Sequence, residues 1–381
     1  MTERKNSSRK LGILIGGSGL IGGTLMHYFK TRAADDVDLL VPNSKRLSLR
    51  EPDDIRRYFI KNRPDFIINC AIVAIDSEPK LSYEVNYLGA INLARAALAF
   101  GIPYIHFSSA AVLPSGEQLT EAEHLPLSAD LGNYAKSKLM CELTLQHMHE
   151  KQGLDYTCIR LGVVYGEHDH KIQGFNRMLY SVADRSMPLL LTKRGVRHSY
   201  SNAAKLPFFV HHLLEHRPEF SGQIYHFVDP EPVELADLIL TLRNVMGLKT
   251  PREIYMPYRL ARISRAVLRR LLRLLGRLGI KAREPKELIF LENFYETQTL
   301  SAAKISASSF VDPSEEVTVY SAIPGLIQYY LPRWEQLNLI SLSGKEFFDP
   351  DHRADAFASM PGLLLEEINQ ESVHPLERLG D

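Results

Sequence analysis

Ile13-Leu14-Ile15-Gly16-Gly17-Ser18-Gly19-Leu20-Ile21-Gly22 is the stretch on which the reading of this chain turns. Three apolar residues run into glycines spaced G-x-x-G-x-x-G, and an apolar helical pattern follows. A strand, a glycine turn and a helix N-terminus together cradle the pyrophosphate of a dinucleotide. Glycine permits the tight turn and the close backbone approach, while the first helical turn offers unpaired N–H groups and a partial positive charge. Gly16, Ser18, Gly19, Leu20, Ile21 and Gly22 are therefore candidate cofactor-binding residues. Outward from this stretch the pattern alternates. Strands are expected over 11–15, 37–41, 66–70, 104–107 and 156–161, with helices over 20–31, 53–61, 82–100 and 134–151. Such alternation implies an α/β fold built on a doubly wound parallel sheet of the Rossmann type.

The second decisive stretch is Tyr134-Ala135-Lys136-Ser137-Lys138, on the last of those helices. Residues four apart share a helix face, so the Tyr134 phenol and the Lys138 ammonium are neighbours. A phenol with its ordinary pKa of about 10 is a poor acid or base at neutral pH. A nearby ammonium stabilises the phenolate and lowers that value. Ser109, at the end of the 104–107 strand, is positioned to hydrogen-bond a substrate oxygen, because open α/β sheets bind ligands at their strand C-termini.

The bulk properties exclude several classes. Of the 381 residues, 45 are Lys or Arg and 45 Asp or Glu, so net charge selects no nucleic-acid partner. The three cysteines, Cys70, Cys141 and Cys158, lack the spacing of a disulfide framework or zinc site, which points to a reducing compartment and no metal. Residues 1–10 are polar and basic and are expected to form a disordered tail rather than a signal peptide. No uncharged apolar run is long enough to span a bilayer, and a soluble cytoplasmic protein is expected. The expected domains are 11–166, with 205–228 returning to it, as the dinucleotide-binding domain, 167–204 and 229–335 as a smaller C-terminal substrate lobe, and 336–381 as an appendage.

Several further segments carry a family likeness. They are Asn69-Cys70-Ala71, Glu84-Val85-Asn86-Tyr87-Leu88-Gly89, Phe107-Ser108-Ser109-Ala110-Ala111-Val112 and Arg160-Leu161-Gly162-Val163-Val164-Tyr165-Gly166, with a weaker match at Gly195-Val196-Arg197-His198-Ser199-Tyr200. Together with the glycine stretch and Tyr134–Lys138, this set resembles the extended short-chain dehydrogenases/reductases. That family holds nucleotide-sugar epimerases, dehydratases and reductases and the 3β-hydroxysteroid dehydrogenases. The resemblance covers roughly residues 11–330. It implies a Ser109/Tyr134/Lys138 catalytic triad, cofactor contacts from Asn69, Ala71, Asn86 and Val163, and substrate contacts from Ser109, Ala110 and Arg197, the last on a diphosphate. It also implies a homodimer formed through the helices at 82–100 and 134–151.

NAD-preferring members place an acid after the second strand. Here that turn reads Pro42-Asn43-Ser44-Lys45-Arg46, with two cations suited to a 2′-phosphate, so NADP(H) is the expected cofactor and NAD(H) the alternative. The short passage from 47 to 69 resembles the 4-keto-sugar reductases. Sugar dehydratases follow the catalytic hydroxyl with an Asp-Glu pair. Ala110 and Ala111 stand there instead, which argues against dehydration and leaves plain hydride transfer or transient-oxidation epimerisation at a secondary alcohol or ketone of a nucleotide-linked sugar. A second reading comes from 259–283, where Arg259, Arg262, Arg265, Arg269, Arg273, Arg277 and Arg283 are interleaved with leucines and no acid intervenes. A basic amphipathic helix of this kind suits peripheral contact with an anionic membrane, or a solvated arginine face whose leucines pack on the substrate lobe. The family resemblance adds a lipid or steroid-like alcohol dehydrogenase as an alternative, since the family's steroid and lipid members often carry such a segment. A non-catalytic NADP(H)-binding regulatory subunit is the alternative of another class.

Overall fold

The computed structural model describes residues 9–75, 77–169, 171–184, 189–190, 194–248, 252–253, 267, 270, 295–340, 357–362 and 365. The chain groups into two compact units. One is drawn from Met1–Gly174, Arg197–Val233 and Glu296–Thr318, the other from Phe175–Val196, Glu234–Tyr295 and Val319–Asp381.

The first unit opens with β1 (Lys10–Ile15), α1 (Leu20–Thr31), β2 (Val37–Leu40), α2 (Pro52–Asn62) and β3 (Phe66–Asn69). A short turn α3 (Pro79–Leu81) and a π-helical segment (Ser82–Leu88) lead into α4 (Gly89–Phe100) and β4 (Tyr104–Ser109). Then come β5 (Gly116–Leu119), α5 (Asn133–Gln152), β6 (Tyr156–Leu161) and β7 (Val163–Tyr165). The strand Gln223–Phe227 completes a six-stranded sheet in the order Gln223–Phe227, β6, β4, β3, β1, β2, parallel throughout. From β1 the chain steps outward to β2, then crosses back to β3 on the other side of β1. This reversal of winding opens a crevice at the C-terminal ends of β1 and β3, where such sheets take their ligands.

Period-two alternation fixes which side chains face which layer. Leu14, Phe66, Ile68, Ile105, Phe107, Ile159 and Leu161 pack with Leu25 and Phe29 of α1 and with Phe209 and Leu213 of the helix Leu206–Glu215. Their neighbours Ile13, Ile15, Ile67, Tyr104, Tyr156 and Cys158 pack with Ile55, Phe59, Leu93, Ala97, Leu145 and Met148 of α2, α4 and α5. Both faces are covered, as an all-parallel sheet requires.

One expected element differs in kind. The segment 82–100 does not run as a single α-helix. Its first seven residues are π-helical, closed by a bond from Gly89 N–H to the Glu84 carbonyl, five residues back. In the second unit the helix Val319–Gln336 packs on the helix Leu235–Val245. Trp334 stacks on Tyr330 and takes the Tyr180 ring edge-on. Among the described residues no helix is long and apolar enough to cross a membrane. The basic segment 259–283 lies outside the described residues apart from Val267 and Arg270, both exposed.

Candidate active site

The glycine turn sits at the end of β1. Gly16 has φ +86°, a conformation that side chains disfavour, and a Cβ there would fall 2.7 Å from the Ala71 amide nitrogen at the end of β3. At Gly22 a Cβ would fall 2.3 Å from the Gly16 carbonyl oxygen. Backbone therefore lies on backbone across the crevice, and the first turn of α1 faces it with its N–H groups free of side-chain caps. These residues fit a pyrophosphate. Lys45 and Arg46 are exposed in the turn after β2, where both of their amides donate to the Asn43 side-chain oxygen at 3.1 Å.

The end of β3 is braced from behind. Asn69 accepts from Ala71 N–H at 3.1 Å and donates to the Tyr104 hydroxyl at 2.9 Å, and Tyr104 donates in turn to the Ala90 carbonyl at 3.1 Å. Asn86, on the π-helical segment, accepts from Val73 N–H at 2.9 Å and donates to Ser137 Oγ at 3.4 Å. Ser137 donates to the Tyr134 carbonyl at 2.8 Å. Asn86 thus ties the loop beyond β3 to the first turn of α5. Tyr104 and Ser137 carry no signal in the sequence that marks this bracing role.

Tyr134 and Lys138 stand on consecutive turns of α5, Tyr134 half-buried and Lys138 buried. The Lys138 ammonium donates to the Phe107 carbonyl at 2.6 Å, two residues before Ser109. Ser109 ends β4 in extended conformation, and its hydroxyl accepts from Ala111 N–H at 3.2 Å. That leaves the hydroxyl proton available to an incoming oxygen. Ala110 follows in a single 3-10 turn, Ala110–Val112. Val163, in β7, donates its N–H to the Ser199 carbonyl at 2.9 Å. Arg197 is exposed and paired with Glu117 of β5 at 2.9 Å. The structure gives it a carboxylate partner and no tie to the Tyr134–Lys138 helix.

Burial sets the electrostatics behind the site. It pushes His106 well below the ordinary imidazole range, with the Lys138 ammonium adding to the effect, so His106 is neutral. It also pushes the Cys70, Cys141 and Cys158 thiols up, Cys141 to about 12, which leaves none of them a nucleophile at neutral pH. Arg160 and Glu142 form a buried ion pair at 2.8 Å, and Arg160 also donates to the Glu121 and Glu123 carbonyls, fixing the loop that leads into α5. Asp229, which accepts from the Tyr165 hydroxyl at 2.7 Å, is raised by burial to about 6. Among the described residues no cluster of His, Cys, Asp and Glu could hold a metal ion.

A glycine cradle at the switch point, together with a Tyr-x-x-x-Lys helix whose lysine is bound to the Phe107 carbonyl of β4, defines an α/β protein of the Rossmann type. Residues 13–196, just under half of the chain, match the NAD dependent epimerase/dehydratase family, and over that stretch the chain is similar to it. It is similar to a dTDP-4-dehydrorhamnose reductase of Sinorhizobium fredii, 26% identical over 166 residues, a match spanning 42% of this chain and 53% of that protein. It is also similar to a GDP-L-fucose synthase of Dictyostelium discoideum, 22% identical over 65% of this chain and 83% of that one. Among solved structures, a GDP-mannoheptose C4 reductase of Campylobacter jejuni with NADP bound shares the fold, with a TM-score of 0.63 over 85% of this chain and 98% of that one, at 10% identity.

Proposed function

We propose that the protein is an NADP(H)-dependent oxidoreductase that reduces the keto group of a nucleotide-linked sugar. The observation that carries this reading is the buried Lys138 ammonium on the Phe107 carbonyl, which brings the Tyr134 helix onto the strand ending at Ser109. Gly16 to Gly22 would hold the dinucleotide, with Asn69, Ala71, Asn86 and Val163 lining the crevice. Bound there, the nicotinamide would supply the hydride. Tyr134 would protonate the carbonyl oxygen as it becomes an alcohol, and Lys138 would stabilise the phenolate left behind. Ser109 would donate to the same oxygen and hold it in line. Ala110 and Ala111 offer no acid or base for removing water from the sugar, which favours hydride transfer over elimination.

Two features support the finer assignments. Lys45 and Arg46 stand in an acid-free turn beyond β2, which suits a 2′-phosphate. Arg197, exposed, would exchange Glu117 for a substrate diphosphate, a partner that matches its guanidinium fork. The names of the relatives supply the first substrates to try. NADPH oxidation would be followed with dTDP- and GDP-linked 4-keto sugars, beginning with dTDP-4-dehydrorhamnose. Tyr134→Phe should leave NADPH affinity within about twofold and lower turnover at least about 100-fold. Turnover retained by this variant would overturn the assignment.

A further inference from the structure

The short strand Gln298–Leu300 lies far along the chain from the glycine turn and the Tyr134 helix, yet its first side chain reaches the turn that follows Ser109. Gln298 Nε2 lies 3.1 Å from the Ala110 carbonyl oxygen, 3.0 Å from that of Leu113 and 3.2 Å from that of Pro114. Three carbonyl acceptors fix the amide orientation, since only its nitrogen can face them. Leu113 N–H already returns to Ala110 O to close the 3-10 turn. The Leu113 and Pro114 carbonyls end that turn, and both accept from the Gln298 amide.

The backbone of the same residue belongs to a different network. Its carbonyl accepts from Ser199 N–H at 3.3 Å, and Leu300 N–H donates to Ser199 Oγ at 2.9 Å. The Ser199 carbonyl accepts from Val163 N–H. Gln298 also pairs in register with Gly116 of β5 on one side and His198 on the other. One residue therefore joins the Ser109 turn to the Val163 strand through hydrogen bonds alone.

We propose that Gln298 is a positioning residue that sets the Ser109 hydroxyl against the Val163 backbone. The proposal rests on the reading of Ser109 as the substrate-orienting group and Val163 as a cofactor contact. Hydride transfer requires the carbonyl carbon to lie within near-attack distance of the donor, and small misplacements of the orienting group cost rate far more than they cost binding.

Gln298→Met keeps the side-chain length and removes both donors. In the full-length protein with NADPH it should leave NADPH affinity within about twofold and lower kcat about tenfold or more. Hydrogen exchange read by mass spectrometry should quicken in both 110–116 and 163–165. Gln298→Glu places a carboxylate against the three carbonyls and should lose more kcat at neutral pH. It should recover as pH falls and the carboxyl gains a proton to donate, an acid-side recovery relative to wild type that Gln298→Met does not show. Wild-type kcat in Gln298→Met, or faster exchange confined to 110–116, overturns the proposal. If the wild type reduces none of the keto sugars, the proposed function fails instead, and the exchange data alone decide whether Gln298 joins the two segments.

Discussion

The glycine turn at Gly16–Gly22 and the turn after Ser109 follow two strands of one sheet, β1 and β4, and are held in opposite ways. The first is shaped by contacts among seven consecutive residues, with the Cys70–Ala71 backbone and with the Val41 side chain beside them, and its fit depends on atoms that are absent. The second is shaped by what is present, an ammonium from α5 and an amide from Gln298, donated across 31 and more than 180 residues of chain. A local device tolerates little substitution but depends on few partners. The long-range device needs each partner folded into place before it exists.

That contrast can be broken at its sharpest point. Gly22→Ala puts a methyl 2.3 Å from the Gly16 carbonyl oxygen, where backbone must move at a cost of about 3 kcal/mol. If this falls on the bound state, NADPH affinity drops about 100-fold in a fluorescence titration. Gly23→Ala, whose added carbon meets nothing nearer than 3.7 Å, is the control and should leave affinity intact. Equal losses in both would mean the cradle is not held by close approach. A smaller effect tests the edge of the same cradle. Replacing Lys45 and Arg46 by alanine should weaken NADPH about tenfold and leave NADH unchanged, consistent with one lost phosphate pair. Parallel losses for both dinucleotides would sink the NADP(H) preference.

A pH dependence tests the long-range side. Burial raises Asp229 from 3.8 to about 6, so the folded protein keeps this proton between those pH values while the unfolded chain has released it. Stability should therefore fall as pH rises from about 4 to 6, and this group should contribute no further slope above that. Asp229→Asn still accepts from Tyr165 and should remove that pH-dependent loss, about 3 kcal/mol across the window, in urea titrations. An unchanged slope would show that Asp229 ionises freely in the fold.

The same contrast explains what the sequence discloses. The β1 to β6 order follows from local apolar periodicity, because alternate residues such as Ile13 and Leu14 face different helical layers. The glycine turn and the Tyr134–Lys138 pair are equally legible, since each is encoded within a few residues. The ties to Glu121, Ser199 and Gln298 are not. A glutamine in a three-residue strand looks like any surface glutamine until its partner strand β5 is known, and β5 (Gly-Glu-Gln-Leu) has no apolar alternation to announce it. Arg197 shows the complementary limit. The sequence offers it as a diphosphate contact, whereas its pairing with Glu117 is a fact of tertiary structure.

The π-helical segment before α4 has a consequence for chain length. An α-helix turns about 100° per residue, and a π-turn accommodates one residue more within the same rise. Deleting a single residue between Ser82 and Asn86 would let the ladder close as α-helix. Everything C-terminal to the cut would stay in place, while the residues before it would swing by about a quarter-turn. The loop from Ala71 to Val73, which hangs on Asn86, would then be pulled short of its anchor. In this stretch the number of residues, as much as their identity, is under constraint.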